Sequence, residues 1–189
     1  MADEKVFSDY EIKETSIKFE GDEKADRIGC VGTLTETKNI KTVTKKCEGV
    51  IKKQKTRGAG TATVKMNLHM RAPHLYKALG MDVKGLKKGV YAYGTKSIHK
   101  EVVITGKIYD EDGREKLLAY PRFVITSAFG RTITNGAEEV EEIEIEGTAL
   151  SDDYEMCVYE APVAETTDVV EKTWMENFTS ELGWETVIA

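Results

Sequence analysis

The sequence predicts a mainly β protein: a β-sandwich or barrel-like pair of antiparallel sheets with one flanking α-helix and a second helix near the C-terminus. Three observations lead there. Apolar and polar residues alternate in several short runs, turn pairs such as Gly21-Asp22, Asp112-Gly113 and Asn135-Gly136 separate the runs, and only two stretches carry helical spacing. A chain of 189 residues, 40% hydrophobic with 3 Pro and 16 Gly, suits one domain with a real core and is no low-complexity polymer.

The first ten residues, with Asp3, Glu4 and Asp9, read as a flexible arm. Ile12, Ile17 and Phe19 among Lys13, Thr15 and Lys18 predict a strand, and Ile28 to Leu34 is a second short apolar run. Residues 39–55 mix Thr, Val and Ile with six lysines, which fits a long exposed strand or loop; Arg57-Gly58-Ala59-Gly60 then reads as a turn. Val64, Met66, Leu68 and Met70 alternate with polar partners, the pattern of a half-buried strand. Pro73 at a helix start, Leu75 and Leu79 four apart, and Gly80 at the stop predict one short helix.

Strands are predicted at Val90-Tyr91-Ala92-Tyr93, 101–109 and 115–125, the last two joined through Asp110-Glu111-Asp112-Gly113. In 138–148, Val140, Ile143 and Ile145 sit among glutamates, so the strand should have one apolar and one acidic face. A further strand is expected within 154–163. Val170, Trp174 and Phe178 at four-residue spacing, with Asp168 as N-cap, predict a closing helix in 164–189.

Charge divides the chain. Residues 1–100 hold 21 Lys and Arg against 12 Asp and Glu, whereas 101–189 hold 6 against 21, within a net charge of −6. Segment 38–100 alone sets 16 cations against Glu48 and Asp82. Surfaces of opposite sign suit either a polyanion or a copy of the same chain placed head to tail. Lys45, Lys46, Lys52, Lys53, Lys55 and Arg57, followed by Lys84, Lys87, Lys88 and Lys96 around Tyr91 and Tyr93, have the composition of a phosphate-tracking surface, so a nucleic-acid-binding β-domain using 38–100 is the rival expectation. A plain solvated loop is the third. Glu142, Glu144 and Glu146 project from one strand face at about 6.5–7 Å intervals, which suits a solvated face or a wall that keeps DNA from sticking.

Catalytic chemistry finds no support in the residue pattern, and neither an enzyme nor a cofactor is expected. His69, His74 and His99 are scattered, Gly58-Ala59-Gly60 lacks the remainder of a phosphate loop, and Asp110-Glu111-Asp112-Gly113 lacks calcium-loop spacing. Cys30, Cys47 and Cys157 suggest neither a disulfide framework nor a zinc site and read as small buried hydrophobes. No run reaches the roughly 18 apolar residues of a membrane span, and Met1-Ala2-Asp3-Glu4-Lys5 is unlike a secretory leader, so a soluble cytoplasmic product is expected.

The segment KMNLHMRAPHLYKALGMDVKGLKKGVYAYGTKSIHKEVVITGKIYDEDG, followed by KLLAYPRFVITS and NGAEEVEEIEIE, resembles the major tail protein, or tail tube protein, of long non-contractile tailed bacteriophages of Gram-positive bacteria. The likeness spans roughly residues 35–180. It implies a single tail tube domain over 1–189, assembled in the host cytoplasm into hexameric rings that stack around a tape measure protein to form a virion tail. Terminator and distal tail proteins would close the ends, and viral DNA would pass through a negatively charged lumen without insertion of this chain into a membrane. On that resemblance 39–62 corresponds to an extended loop or hairpin laid against the neighbouring ring, with Lys45, Lys46, Lys52, Lys53, Lys55 and Arg57 as candidate inter-ring residues. Glu142, Glu144 and Glu146 are the candidate lumen-lining residues, an assignment that rests on alternation and sign.

Overall fold

Alternating side chains need a second layer to cover their apolar face, and this chain supplies one by curling its sheet round on itself. The computed structural model describes residues 6–185, apart from the side chain of Val169; the rest of the expected arm and tail lies outside the described residues. The strands are β1 Glu11–Phe19, β2 Asp26–Arg27, β3 Gly29–Cys47, β4 Val50–Met70, β5 Val102–Tyr109, β6 Glu115–Ile125, β7 Ile143–Ala149 and β8 Tyr159–Pro162, with helices α1 Ala72–Ala78 and α2 Asp168–Asn177. The protein is mainly β and every ladder is antiparallel.

The hydrogen-bonded order runs β2-β1-β5-β6-β7-β4-β3, with β8 added to the first half of β6. β2 pairs with β1 through Ser16↔Arg27 and Ile17↔Asp26, and continues into β3 through Ile28, whose N–H donates to the Thr15 carbonyl at 3.1 Å. The two margins of the sheet therefore meet, which makes it barrel-like. The corner is Gly29, at φ 144°, where an added Cβ would stand 1.9 Å from the His69 carbonyl oxygen. Only glycine combines that backbone with that approach.

Alternate residues fill the inside. Ala62, Val64, Met66 and Leu68 of β4 face Ile104 of β5, Tyr120 and Phe123 of β6 and Ile145 of β7, all buried in one cluster. α1 contributes Leu75 and Ala78, joined by Leu79, so the short helix is held by burial rather than by its length. The outer face of β5 and β6 is covered by α2. Trp174 and Phe178 pack on Leu117 and Ala119, and the Trp174 indole N–H donates to the Leu118 carbonyl at 3.2 Å. Full burial of side chains of this kind stabilises by about 1.5–3 kcal/mol each.

Several local expectations are corrected. Arg57-Gly58-Ala59-Gly60 is no turn but part of β4, because Glu48 and Gly49, both in the left-handed region, reverse the chain ten residues earlier. The glycines accommodate an irregularity in the ladder instead, where Ile40 pairs with Gly58 but Lys38 with Ala62. Val90-Tyr91-Ala92-Tyr93 has no strand partner among the described residues and lies in an irregular segment bent at Gly85 and Gly89. The acidic strand starts at Ile143, which leaves 138–142 in a loop, and the strand sought in 154–163 is confined to Tyr159–Pro162. Thr167, whose hydroxyl accepts from the Val170 N–H, caps α2 in place of Asp168. Cys30 and Cys47 are exposed and Cys157 is half-buried: Cys30 faces outward at the start of β3, and Cys47 lies at the far end of β3, where side chains on both faces are exposed.

Candidate functional site

β3 and β4 are far longer than the rest of the sheet. β7 covers β4 only from Ala62 to Leu68, so beyond the Lys38↔Ala62 pair the two strands continue with, among the described residues, no strand partner but each other. From Ala62 to Val50 that ribbon reaches about 40 Å. Its tip is the two-residue turn Glu48-Gly49, with φ of 52° and 79°, the backbone that suits the twist of a tight hairpin.

The pairing sorts the hairpin's side chains into two faces. Lys41 lies opposite Arg57, Val43 opposite Lys55 and Lys45 opposite Lys53, and these residues line one shallow hollow apart from Lys41. The other face holds Thr42 opposite Thr56, their hydroxyls 3.0 Å apart, and Thr44 opposite Gln54. Lys46 pairs with Ile51 on that side, and Lys52 occupies the irregularity beside the Lys45↔Lys53 pair. One face thus carries Lys41, Lys45, Lys53, Lys55 and Arg57, and the other carries mainly uncharged polar residues, with Lys46 near the tip. Like charges placed directly opposite destabilise a ladder by up to about 1 kcal/mol a pair. Among the described residues none of Lys41, Lys45, Lys46, Lys52, Lys53, Lys55 and Arg57 has an ion-pair partner, whereas Lys38 at the root binds Glu36 at 3.2 Å and Glu160 at 3.0 Å. Ile40, Val43, Val50 and Ile51 are also more than half exposed on the arm.

The opposite sign gathers at the other end of the β4–β7 ladder. β7 leaves the hairpin root at Ala149↔Ala62 and ends at Ile143↔Leu68, about 20 Å away, where the loop 126–142 joins it. That loop carries Glu138, Glu139, Glu141 and Glu142 against Arg131, and it exposes Ile133 and Val140 at 74% and 83%. An irregular segment of this length with apolar side chains in solvent is uncommon unless something covers it.

The three candidate glutamates are distributed unevenly. Glu144 and Glu146 stand on the outward face of β7, and Lys65 of β4 answers both: it lies opposite Glu146 and binds the Glu144 carboxylate at 2.9 Å. The hydrogen bond to Glu144 and the charge of Glu146 raise the Lys65 ammonium above its usual value. Glu142 precedes the strand and lays its carboxylate over Gly32, where an added Cβ would stand 2.1 Å from Oε1. Lys65 is the residue that sequence reasoning missed. Its place in an alternating strand was visible, but its partner across the ladder was not.

Tyr91 and Tyr93 do not join the hairpin lysines. Tyr91 packs on Tyr76 of α1, with ring centroids 4.6 Å apart, and Tyr93 shares a hydrogen bond of 3.1 Å with His99 Nε2. His99 Nδ1 in turn lies 2.7 Å from the Ile125 carbonyl oxygen, and His74 Nε2 lies 3.2 Å from Asp26. Among the described residues no helix is long and apolar enough to cross a membrane. No family model matches this chain, and no curated protein matches it.

Proposed function

We propose that this chain is the repeating subunit of a tube, the tail tube of a long-tailed bacteriophage, built as stacked hexameric rings through which DNA passes. The observation that carries the reading is polarity: a cationic ribbon without internal ion pairs leaves one end of the β4–β7 ladder, and an acidic loop with exposed apolar side chains sits at the other. Opposite charges at opposite ends suit a heterologous contact, in which the arm of one copy reaches the acidic end of the next and the contact repeats. Ile40, Val43, Val50 and Ile51 then lose water on assembly, which supplies an apolar contribution that charge alone lacks. Glu142, Glu144 and Glu146 are proposed to line the lumen, with Lys65 moderating the field of the last two. Tape measure, terminator and distal tail proteins belong to the same reading, as does a location in the virion tail.

Negative-stain microscopy of the purified chain tests this: hollow tubes or stacked rings are expected, and discrete single particles at every salt and protein concentration overturn it. Lys45→Glu, Lys53→Glu and Lys55→Glu together should abolish tubes without unfolding the subunit. Glu138→Lys, Glu139→Lys and Glu141→Lys added to that triple should restore them.

A second reading rests on the five cations of one ribbon face, Lys41, Lys45, Lys53, Lys55 and Arg57. A two-stranded ribbon of that charge fits a nucleic-acid groove. It predicts salt-sensitive retention on duplex DNA, lost in the same lysine triple, with no tubes under any condition.

A further inference from the structure

Where the hairpin leaves the barrel the ladder is irregular. The register shifts between Lys38 and Ile40, Gly60 opposite this point takes φ 78°, and Gly58 follows two residues further out. A two-stranded ribbon attached through such a joint would swing unless both strands were tied at the root. Both are tied. On the β4 side the Ser151 hydroxyl donates to the Gly60 carbonyl. On the β3 side the tie is ionic and passes through one carboxylate.

Glu160 lies on β8, opposite Leu118 of β6. Its Oε1 accepts from Lys38 Nζ at 3.0 Å and its Oε2 from Lys116 Nζ at 3.0 Å. Lys38 also reaches Glu36 at 3.2 Å, and the other oxygen of Glu36 accepts from the Tyr120 hydroxyl at 2.8 Å. Lys116 also holds Asp9 at 2.8 Å. Charge therefore alternates from Asp9 through Lys116, Glu160 and Lys38 to Glu36, and ends on a phenol that is wholly buried. Lys116 and Glu36 are only 15% and 16% exposed, so two members are sunk in the body of the protein, while Lys38 stands at the root of the arm, in the last pair before the register shift. Partial burial and shared partners make such a network stronger than separate surface pairs. Burial opposes charge on Glu160, but Lys116 and Lys38 outweigh it and hold the carboxyl below its usual value.

We propose that Glu160 is the positioning residue that aims the β3–β4 hairpin, tying the root of the arm to the rigid β6–β8 pair. The arm is then presented at a fixed angle before it meets any partner. An arm already held in its binding direction loses less conformational freedom on docking than a swinging one. The proposal concerns the single subunit and goes beyond the assembly reading: it applies equally if the ribbon grips nucleic acid.

Cys47 at the tip of the arm provides the probe. In a chain carrying Cys30→Ser, Cys157→Ala and Lys172→Cys, nitroxides at positions 47 and 172 report the distance from the arm to α2 by double electron–electron resonance. The labelled chain is spin-diluted with unlabelled protein so that only distances within a subunit contribute. A single narrow distribution is expected for this parent, at least doubled in width by Glu160→Gln and left unchanged by Glu101→Gln, which removes an ion pair to Arg122 elsewhere. A role confined to stability would lower the melting temperature without widening the distribution. An unchanged width in folded Glu160→Gln overturns the proposal. Should that variant fail to fold, Lys38→Met, which alters a mostly exposed side chain, is read in its place by the same criterion.

Discussion

Within β4 one strand lives in two environments. From Ala62 to Leu68 every second side chain is completely buried and β7 and β3 flank the backbone on both sides. From Val50 to Thr56 no side chain is buried and, among the described residues, the only strand partner is β3. The inner half is stabilised by apolar contact, and the outer half mainly by a ladder of backbone hydrogen bonds, each worth about 0.5–1.5 kcal/mol net. Lys52, Lys53 and Lys55, without acidic partners among the described residues, add repulsion to that outer half. Its persistence therefore depends on strand pairing and on the ties at its root, and its chemistry is left free for something outside the chain.

That contrast orders the expected effects of substitution. Leu68→Ala, in the inner half, should destabilise the protein by about 2–5 kcal/mol through lost burial and a residual cavity, read as a lowered midpoint in urea unfolding. Gly29→Ala should cost about 1–3 kcal/mol or more, because the new Cβ meets the His69 carbonyl and the backbone sits at φ 144°; a midpoint unchanged from the parent would mean that the corner relaxes freely. Ile51→Ser, in the outer half, should shift subunit stability by less than about 0.5 kcal/mol and yet weaken tube formation at equal protein concentration. Equal losses from Leu68→Ala and Ile51→Ser would erase the distinction between the halves. The smallest effect is expected at the tip. Glu48→Asn, which places a residue tolerant of φ 52° before Gly49, should slow hydrogen exchange of the hairpin amides while leaving the global midpoint in place.

Acid should act on the root of the arm. Glu160 is held below its ordinary value in the fold, so it binds a proton less readily there than in the unfolded chain. Its contribution to stability is present above the unfolded value near 4.5 and is lost as pH falls through the folded value. Asp152 follows the same sign: burial opposes its charge, but hydrogen bonds from Ser180, Tyr159 and the N–H groups of Met156 and Tyr154 outweigh that and lower it from 3.8. Thermal midpoints should be level from neutral pH down to about 5 and should fall below it. Glu160→Gln should flatten part of that fall.

Much of this was legible in residue order. Val64, Met66 and Leu68 alternate because one face of β4 is inside, Pro73 and Gly80 bracket α1, and Asp110 to Gly113 turns the β5–β6 hairpin, with Gly113 at φ 81°. The cationic character of the arm and the acidic character of 138–146 were likewise plain. Each of these depends on residues within a few positions of one another, where sterics, spacing and charge act directly.

Other features waited for the folded chain. Gly58 and Gly60 offered a turn as readily as Gly49 did, and the choice fell on Glu48-Gly49 because that register pairs Lys38 with Ala62 and carries Val64 to Leu68 into the core. Tyr91 and Tyr93 had the composition of a strand but pair with no strand among the described residues, Tyr91 packing instead on Tyr76 and Tyr93 bonding His99. Nothing local to Glu160 names Lys38, 122 residues away, as its ion-pair partner, and nothing local to 126–142 puts it at the far end of a ladder from the arm. Short-range pattern determines what a segment is able to form. Which pairings it takes up is decided by how the barrel closes and by the apolar area that closure removes from water, a property of the assembled chain that no window of neighbouring residues contains.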